Sequence, residues 1–361
     1  MIKSLEVIGL NNHDEMKLEF EPDLNLLTGK NGSSKTTLLK LLWYLNGGQL
    51  LQLIREIKFQ YADLITSNMR VIVNRNPKKE TITITIDNEK PIILRDQYLR
   101  ELVDIGRSSD KYIDTFLFDI RKKAIGAIFF PTFRRIEGGF SMGEGFYDPR
   151  YGRSTDRLKE AMQDLSARLS SSNQKFIASI STDDIVQLLT NEYASINEKV
   201  NQMQSAKSDS IIKKIKNRNK NEKDILNDIQ ANIEQMEADR KNSFQPFDTL
   251  SSLITNIFQH KGIQLNGSLT MGDVSNAISS DKLSAGEKQM LSFICYNTFI
   301  KEQTIFIDEP ELSLHPDWQR TLIPTLLSQG SKNQFFMATH SPFIYSKYSD
   351  KEIMLSPDKG N

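Results

Sequence analysis

Residues 29–37 read GKNGSSKTT. The apolar run 24–27 leads into them, and LLKLLWYL follows, dense in apolar residues and free of glycine and proline. Strand, glycine-rich loop, helix is the context in which the pattern G-x-x-x-x-G-K-[ST] cradles phosphate, because the loop N–H groups and the positive end of the helix face the anion. Asn31, Gly32, Ser33, Ser34, Lys35, Thr36 and Thr37 are therefore expected to bind a nucleotide. Lys35 would reach its β- and γ-phosphates, and the Thr36 hydroxyl would hold Mg²⁺. One letter departs from the pattern: Ser34 stands where the second glycine belongs. Ser34 keeps the N–H that phosphate needs. A residue opening a helix can sit in the right-handed region, so serine is not forbidden there, and its added Cβ and hydroxyl are expected to weaken or tune binding without abolishing it.

The 361 residues suit one large domain or two ordinary ones. Acids and bases balance at 46 each, so bulk charge points to no partner. A single cysteine, Cys295, excludes an internal disulfide framework and fits a reducing compartment. It lies in MLSFICY and reads as a buried structural thiol. The first residues carry acids early and no long apolar core, unlike a signal peptide. No apolar run is long enough to span a membrane. The expectation is a cytoplasmic chain with no membrane partner.

Short alternating runs predict strands at the N-terminus. The runs VIV, TITITI and PIIL between 70 and 94 predict a hairpin or small meander with one buried face. AIGAIFF, 124–130, reads as a buried strand ending at Pro131. From about 155 to 247 the chain is polar and helix-prone, with Ile225, Ile229, Ile233 and Met236 on one helical face. Residues 210–223 carry six bases and one acid, a solvated helix or connector, with nucleic-acid contact as the alternative. From 283 onward helices and strands alternate again, which predicts a mostly parallel sheet.

TIFIDEP, 304–310, delivers two acids at the C-terminal end of an apolar strand, where ligands collect in open α/β sheets. Asp308 is expected to hold Mg²⁺ through water, and Glu309 to orient and deprotonate the attacking water. LSAGEKQ, 283–289, resembles the signature of ABC-type ATPases, usually LSGGQ, with Ala285 and Glu287 as departures. That resemblance implies that Ser284, Ala285, Gly286 and Glu287 act on nucleotide held by another subunit, in a head-to-tail homodimer or higher homo-oligomer with ATP at the interface. His340, directly after FFMAT, resembles the family's switch histidine, which contacts the γ-phosphate. With Glu309 and Lys35 it completes the catalytic set, and ATP and Mg²⁺ are the implied ligands. His13 and His260 fall in no pattern.

EPELSLHP, which contains His315, resembles the D-loop region of the soluble ABC-type ATPases grouped around OLD and RecF. These proteins carry helical insertions in the long interval that here separates Lys35 from Leu283. PTFRRIEGG stands where their Q-loop belongs, with no glutamine to assign; Arg134 and Arg135 are expected to touch phosphate or the partner subunit. The expected architecture is α/β: an ABC-type P-loop core with a mostly parallel sheet, an antiparallel β element and a coiled-coil-like insertion. The core would comprise 1–54 and 251–361, and the insertion 55–250. With no acidic cluster outside the Walker B strand, the chain is expected to hold no nuclease centre of its own. The chain resembles a stand-alone ATPase subunit of anti-phage systems such as PARIS and Septu, and FPTFRRIEGGF and LLKLLWYLNGG resemble the PARIS type most. That implies a separate effector, a Toprim-like or HNH nuclease, and a phage-encoded trigger. Two other classes stay open. One is a DNA-repair or chromosome-type ATPase clamping nucleic acid through Lys213, Lys214, Lys216 and Arg218. The other is an ATP-locked scaffold with little turnover.

Overall fold

The computed structural model describes residues 1–11, 13–87, 89–95, 111–136, 154–171, 173–180, 182–216, 222–258 and 284–356. By packing they form two compact units, 1–179 with 300–361, and 180–299.

The first unit opens with β1 (Ile2–Leu10), turns back as β2 (His13–Glu19) and enters β3 (Leu24–Thr28). Helices α1 (Lys35–Gly47) and α2 (Leu50–Glu56) follow the glycine-rich loop. Next come β4 (Tyr61–Thr66), β5 (Arg70–Asn76), β6 (Thr81–Ile86), β7 (Ile92–Arg95) and α3 (Lys111–Lys123). Then follow β8 (Ala127–Phe130), β9 (Arg135–Ile136), α4 (Ser154–Leu169), β10 (Gln174–Phe176) and β11 (Ser179–Ile180). After the second unit the chain returns as β12 (Thr304–Asp308), α8 (Pro316–Ser328), β13 (Gln334–Ala338), α9 (Pro342–Tyr345) and β14 (Glu352–Met354).

One sheet has the order β10-β8-β12-β13-β3-β14, with every adjacent pair parallel. Its four central strands are buried along their whole length, as a sheet covered on both faces requires. Parallel pairing places the C-terminal ends of β3, β8, β12 and β13 along one edge. The P-loop, PTFRR, DEPE and THS leave from those four ends. Trp43 of α1 meets Phe129 and Phe306 edge-on, at 5.6 and 6.2 Å between centroids, and seats the P-loop helix on the sheet.

The antiparallel element is larger than the meander that the sequence predicts. The second sheet runs β2-β1-β4-β5-β6-β7, with Leu5 opposite both Leu18 and Leu64. Ile82, Ile84 and Ile86 form its buried face in β6. Residues 61–95 thus continue the N-terminal sheet, and the boundary expected at 55 falls inside one unit. YADLIT of β4 carries a buried aspartate, Asp63, which hides its strand pattern; Arg70 Nη2 pairs with it at 2.6 Å.

In the second unit α5 (Thr182–Lys216) and α6 (Glu222–Phe258) are long helices tied by a Lys207–Asp239 ion pair at 2.5 Å. Tyr193 and Phe247 meet edge-on at 5.6 Å, and Phe247 packs 4.8 Å from Phe299 of α7 (Ala285–Phe299). Of the apolar face expected in α6, Ile233 is exposed and Met236 half-buried, while the Ile225 side chain lies outside the described residues. The side chains of Lys213, Lys214 and Lys216, and all of Arg218, His260 and Leu283, lie there too. Cys295 is buried, and burial pushes its thiol pKa up, as suits a structural thiol. Among the described residues no helix is long and apolar enough to cross a membrane.

Candidate functional site

The loop after β3 turns through two glycines with positive φ, Gly29 at 143° and Gly32 at 81°. A Cβ on Gly29 would lie 2.7 Å from Ser33 Oγ, so only glycine fits, and one on Gly32 would meet nothing within 4 Å. Ser33 Oγ is buried with no hydrogen-bond partner among the described residues. An open face over Gly32 and a buried, unsatisfied hydroxyl beside it fit a phosphate oxygen. Lys35 Nζ donates to the carbonyls of Gly29 (2.9 Å) and Lys30 (3.2 Å), the folded-back position of a lysine that spans the loop. Burial lowers its pKa, against the charges of Glu309, Asp308 and Glu311.

Ser34 differs from the expectation. Its φ is 72° and its ψ 18°, left-handed and not right-handed, and its side chain does not cap α1. The turn into the helix here needs the backbone that a glycine supplies freely. Ser34 Oγ instead accepts a hydrogen bond from Asn11 Nδ2 at 2.8 Å, and His13 Nε2 lies 3.4 Å from the Ser33 carbonyl. The β1–β2 turn therefore braces the loop, which gives His13 a place that the sequence did not.

Thr36 Oγ1 lies 3.0 and 2.9 Å from the two Asp308 carboxylate oxygens. The two residues expected at Mg²⁺ are thus brought together, an oxygen-donor pair that fits a hard cation. Thr132 Oγ1 also donates to Asp308, from the place where a Q-loop glutamine was sought. Burial raises the Asp308 pKa, while the Thr132 and Thr36 hydrogen bonds and Arg134 oppose it.

Glu309 sits at φ 50°, with Oε1 3.6 Å from His340 Nε2. Burial, then a hydrogen bond and the charge of Glu311, push its carboxyl up to about 8. Burial and Lys35 lower the His340 pKa. Glu311 was read only as part of EPELSLHP, yet it holds the segment that carries His340: Oε1 accepts the His340 N–H at 2.6 Å and Oε2 the Thr339 hydroxyl at 2.8 Å. Arg134 is buried. Its guanidinium donates to the carbonyls of Pro131 (2.9 Å), Asp308 (2.7 Å) and Glu309 (2.9 Å). It clamps the acidic loop within the chain. The Arg135 side chain lies outside the described residues. His315 caps α8, with Nδ1 accepting from the Asp317 N–H at 3.4 Å.

In the second unit Ser284 and Glu287 form a capping box at the start of α7. Ser284 N and Oγ both donate to Glu287 Oε2, at 2.7 and 2.9 Å, and the Glu287 N–H returns to Ser284 Oγ at 3.4 Å. The acid that departs from the usual signature is the acid that this cap uses. Ala285 and Gly286 form the first turn behind it.

A family model described as AAA ATPase domain matches residues 1–345. The chain belongs to this family. Within this AAA ATPase domain, curated relatives match shorter stretches. DNA replication and repair protein RecF of Clostridium botulinum (strain Loch Maree / Type A3) is 31% identical over 85 residues, 24% of this chain and 23% of that protein. Retron Vc95 probable ATPase of Vibrio cholerae serotype O1 biovar El Tor is 27% identical over 123 residues, 30% and 24%. Endonuclease GajA of Bacillus cereus (strain VD045) is 32% identical over 75 residues, 19% and 13%. The matches thus span 13–24% of these relatives' own length. Among solved structures, the Smc head domain with an extended coiled coil, bound to the C-terminal domain of ScpA and derived from Pyrococcus furiosus, shows 14% identity and a TM-score of 0.34. It aligns with 96% of this chain and 91% of that one. The recombination mediator RecF-ATPrS shows 13% and 0.35, over 95% and 94%.

Proposed function

We propose that the chain binds and hydrolyses ATP as the ATPase subunit of an anti-phage defence system, closing as a homodimer around nucleotide and controlling a separate effector nuclease. What carries the ATPase reading is the convergence of the P-loop, Asp308, Glu309 and His340 on one edge of a parallel sheet. Thr36 and Asp308 would hold Mg²⁺, which when bound neutralises charge on the β- and γ-phosphate oxygens. The loop N–H groups and Ser33 Oγ bind phosphate, and Lys35 leaves its two carbonyls for the γ-phosphate. Glu309, once ionised, takes a proton from the attacking water, and His340 orients the phosphate being transferred. Likeness to the retron Vc95 ATPase and to endonuclease GajA supports the defence setting. The effector would be Toprim-like or HNH, in an arrangement of the PARIS or Septu kind, with a phage product as trigger.

Turnover by the purified chain, with Glu309→Gln beside it, tests the chemistry. Loss of turnover with ATP binding retained is expected, and equal turnover in both sinks the assignment of Glu309. The match to RecF favours a second reading, ATP-dependent clamping of DNA. That reading predicts salt-sensitive DNA binding that needs ATP; the defence reading predicts a nuclease retained on the chain without DNA.

A further inference from the structure

We propose that Asn11, at the β1–β2 turn, is a positioning residue of the P-loop, which holds Ser34 in the left-handed conformation that the loop requires. The inference rests on the reading that this loop binds ATP.

Two non-glycine residues with left-handed backbone face each other here, Asn11 at φ 52° and Ser34 at φ 72°. Asparagine visits this region with little penalty, since its short amide bonds locally. Serine is less suited, because its Cβ crowds the following carbonyl. The Ser34 N–H is one of the donors expected at phosphate, so any relaxation of its φ re-aims that donor. Asn11 Nδ2 holds Ser34 Oγ at 2.8 Å and lies 3.4 Å from Thr37 Oγ1, which joins the turn to both the loop and the first turn of α1. His13 reaches the Ser33 carbonyl from the same turn at 3.4 Å. A hydroxyl in place of the pattern's second glycine thus provides the handle by which a neighbouring strand turn fixes the loop. A glycine would need no such tie, and would offer no side chain to make one.

The two residues should therefore depend on each other. ATP affinity and melting temperature without nucleotide are measured for the unaltered chain, Asn11→Ala, Ser34→Gly and the double variant. Asn11→Ala is expected to weaken ATP binding roughly tenfold, about 1.4 kcal/mol, and to lower the melting temperature. In the Ser34→Gly background the same change should shift affinity less than twofold or so, within ordinary additivity error. That rescue separates positioning from a general structural role. Equal losses in both backgrounds overturn the proposal and make Asn11 a direct contact or a fold residue; no loss in either also overturns it. If the unaltered chain binds no ATP, the ATPase reading and the positioning role both fall. Non-additive melting would then show the Asn11–Ser34 tie acting on the fold alone.

Discussion

Glu311 Oε1 accepts the backbone N–H of His340 at 2.6 Å, just beyond the paired ends of β12 and β13. The acid two residues beyond Glu309 thereby fixes the start of the segment that carries His340. Glu311→Ala is expected to release His340 and lower kcat by tenfold or more, by analogy with other oriented catalytic groups. ATP affinity, set by the P-loop, should fall far less. Steady-state kinetics beside equilibrium nucleotide binding separate the two; a loss confined to affinity would contradict the assignment.

Arg134 answers a similar need on the other side of the acidic loop. It satisfies three carbonyls of two segments distant in sequence, and burial lowers its pKa only to about 10, so it stays charged. Arg134→Ala takes the guanidinium donors from the Asp308 and Glu309 carbonyls, while the Pro131 carbonyl keeps the backbone N–H of residue 134, and should cost about 3 kcal/mol of stability. Arg134→Lys should not restore it, because an ammonium cannot copy the planar fork. Urea unfolding of the three proteins measures both effects.

The Glu309 carboxyl gives a pH signature without nucleotide. Its ordinary pKa of 4.5 rises to about 8 in the fold, through burial, Glu311 and Asp308, against Lys35. His340 Nε2 faces it at 3.6 Å, and Arg134 Nη2 donates to its backbone carbonyl. The folded chain then holds a proton that the unfolded chain has lost. The contribution to stability is full below about 4.5 and is lost as pH rises through about 8. Relative to Glu309→Gln, which cannot ionise, the unaltered chain should lose melting temperature across that window, from about pH 4.5 to about pH 8, and run parallel above it. Parallel curves for the two proteins throughout would place Glu309 in a solvated setting.

Much of the site was legible because its residues cluster in short motifs at strand ends. GKNGSSKTT, DEP and THS each follow or close an apolar run, and parallel pairing of those runs brings Thr36 to Asp308 and His340 to Glu309. The Ser34 backbone was not legible, since the same residue type opens many helices right-handed and only the turn's geometry demands otherwise. Arg134, Thr132, Glu311 and Asn11 were missed in their roles for another reason. Each acts through a contact between distant segments, and the residue itself carries no local mark of its partner. Residues 61–95 were assigned to an insertion because a hairpin pattern shows that strands pair with each other, not that they extend an earlier sheet.

The signature segment supports the last prediction. Ser284 is engaged with Glu287 in a capping box, so its hydroxyl serves its own helix in this state. A role in trans means that the nucleotide held by one copy meets Ser284 of another. Lys35→Ala and Ser284→Arg should each abolish turnover as pure proteins. Mixed in equal amounts they would give some dimers in which one site combines an intact P-loop with an intact signature, and the other site carries both lesions. Random head-to-tail pairing then restores about a quarter of the sites, and turnover should recover toward that share if each site fires alone. Recovery requires exchange of subunits, which pre-incubation without nucleotide allows. No recovery in a mixture shown by labelled chains to contain mixed dimers would mean that the two sites fire only together or that Ser284 serves its own chain. The Glu287→Gln variant asks a separate question: a glutamine can keep the capping box, so turnover should survive it if the cap, and not the charge, is what α7 needs.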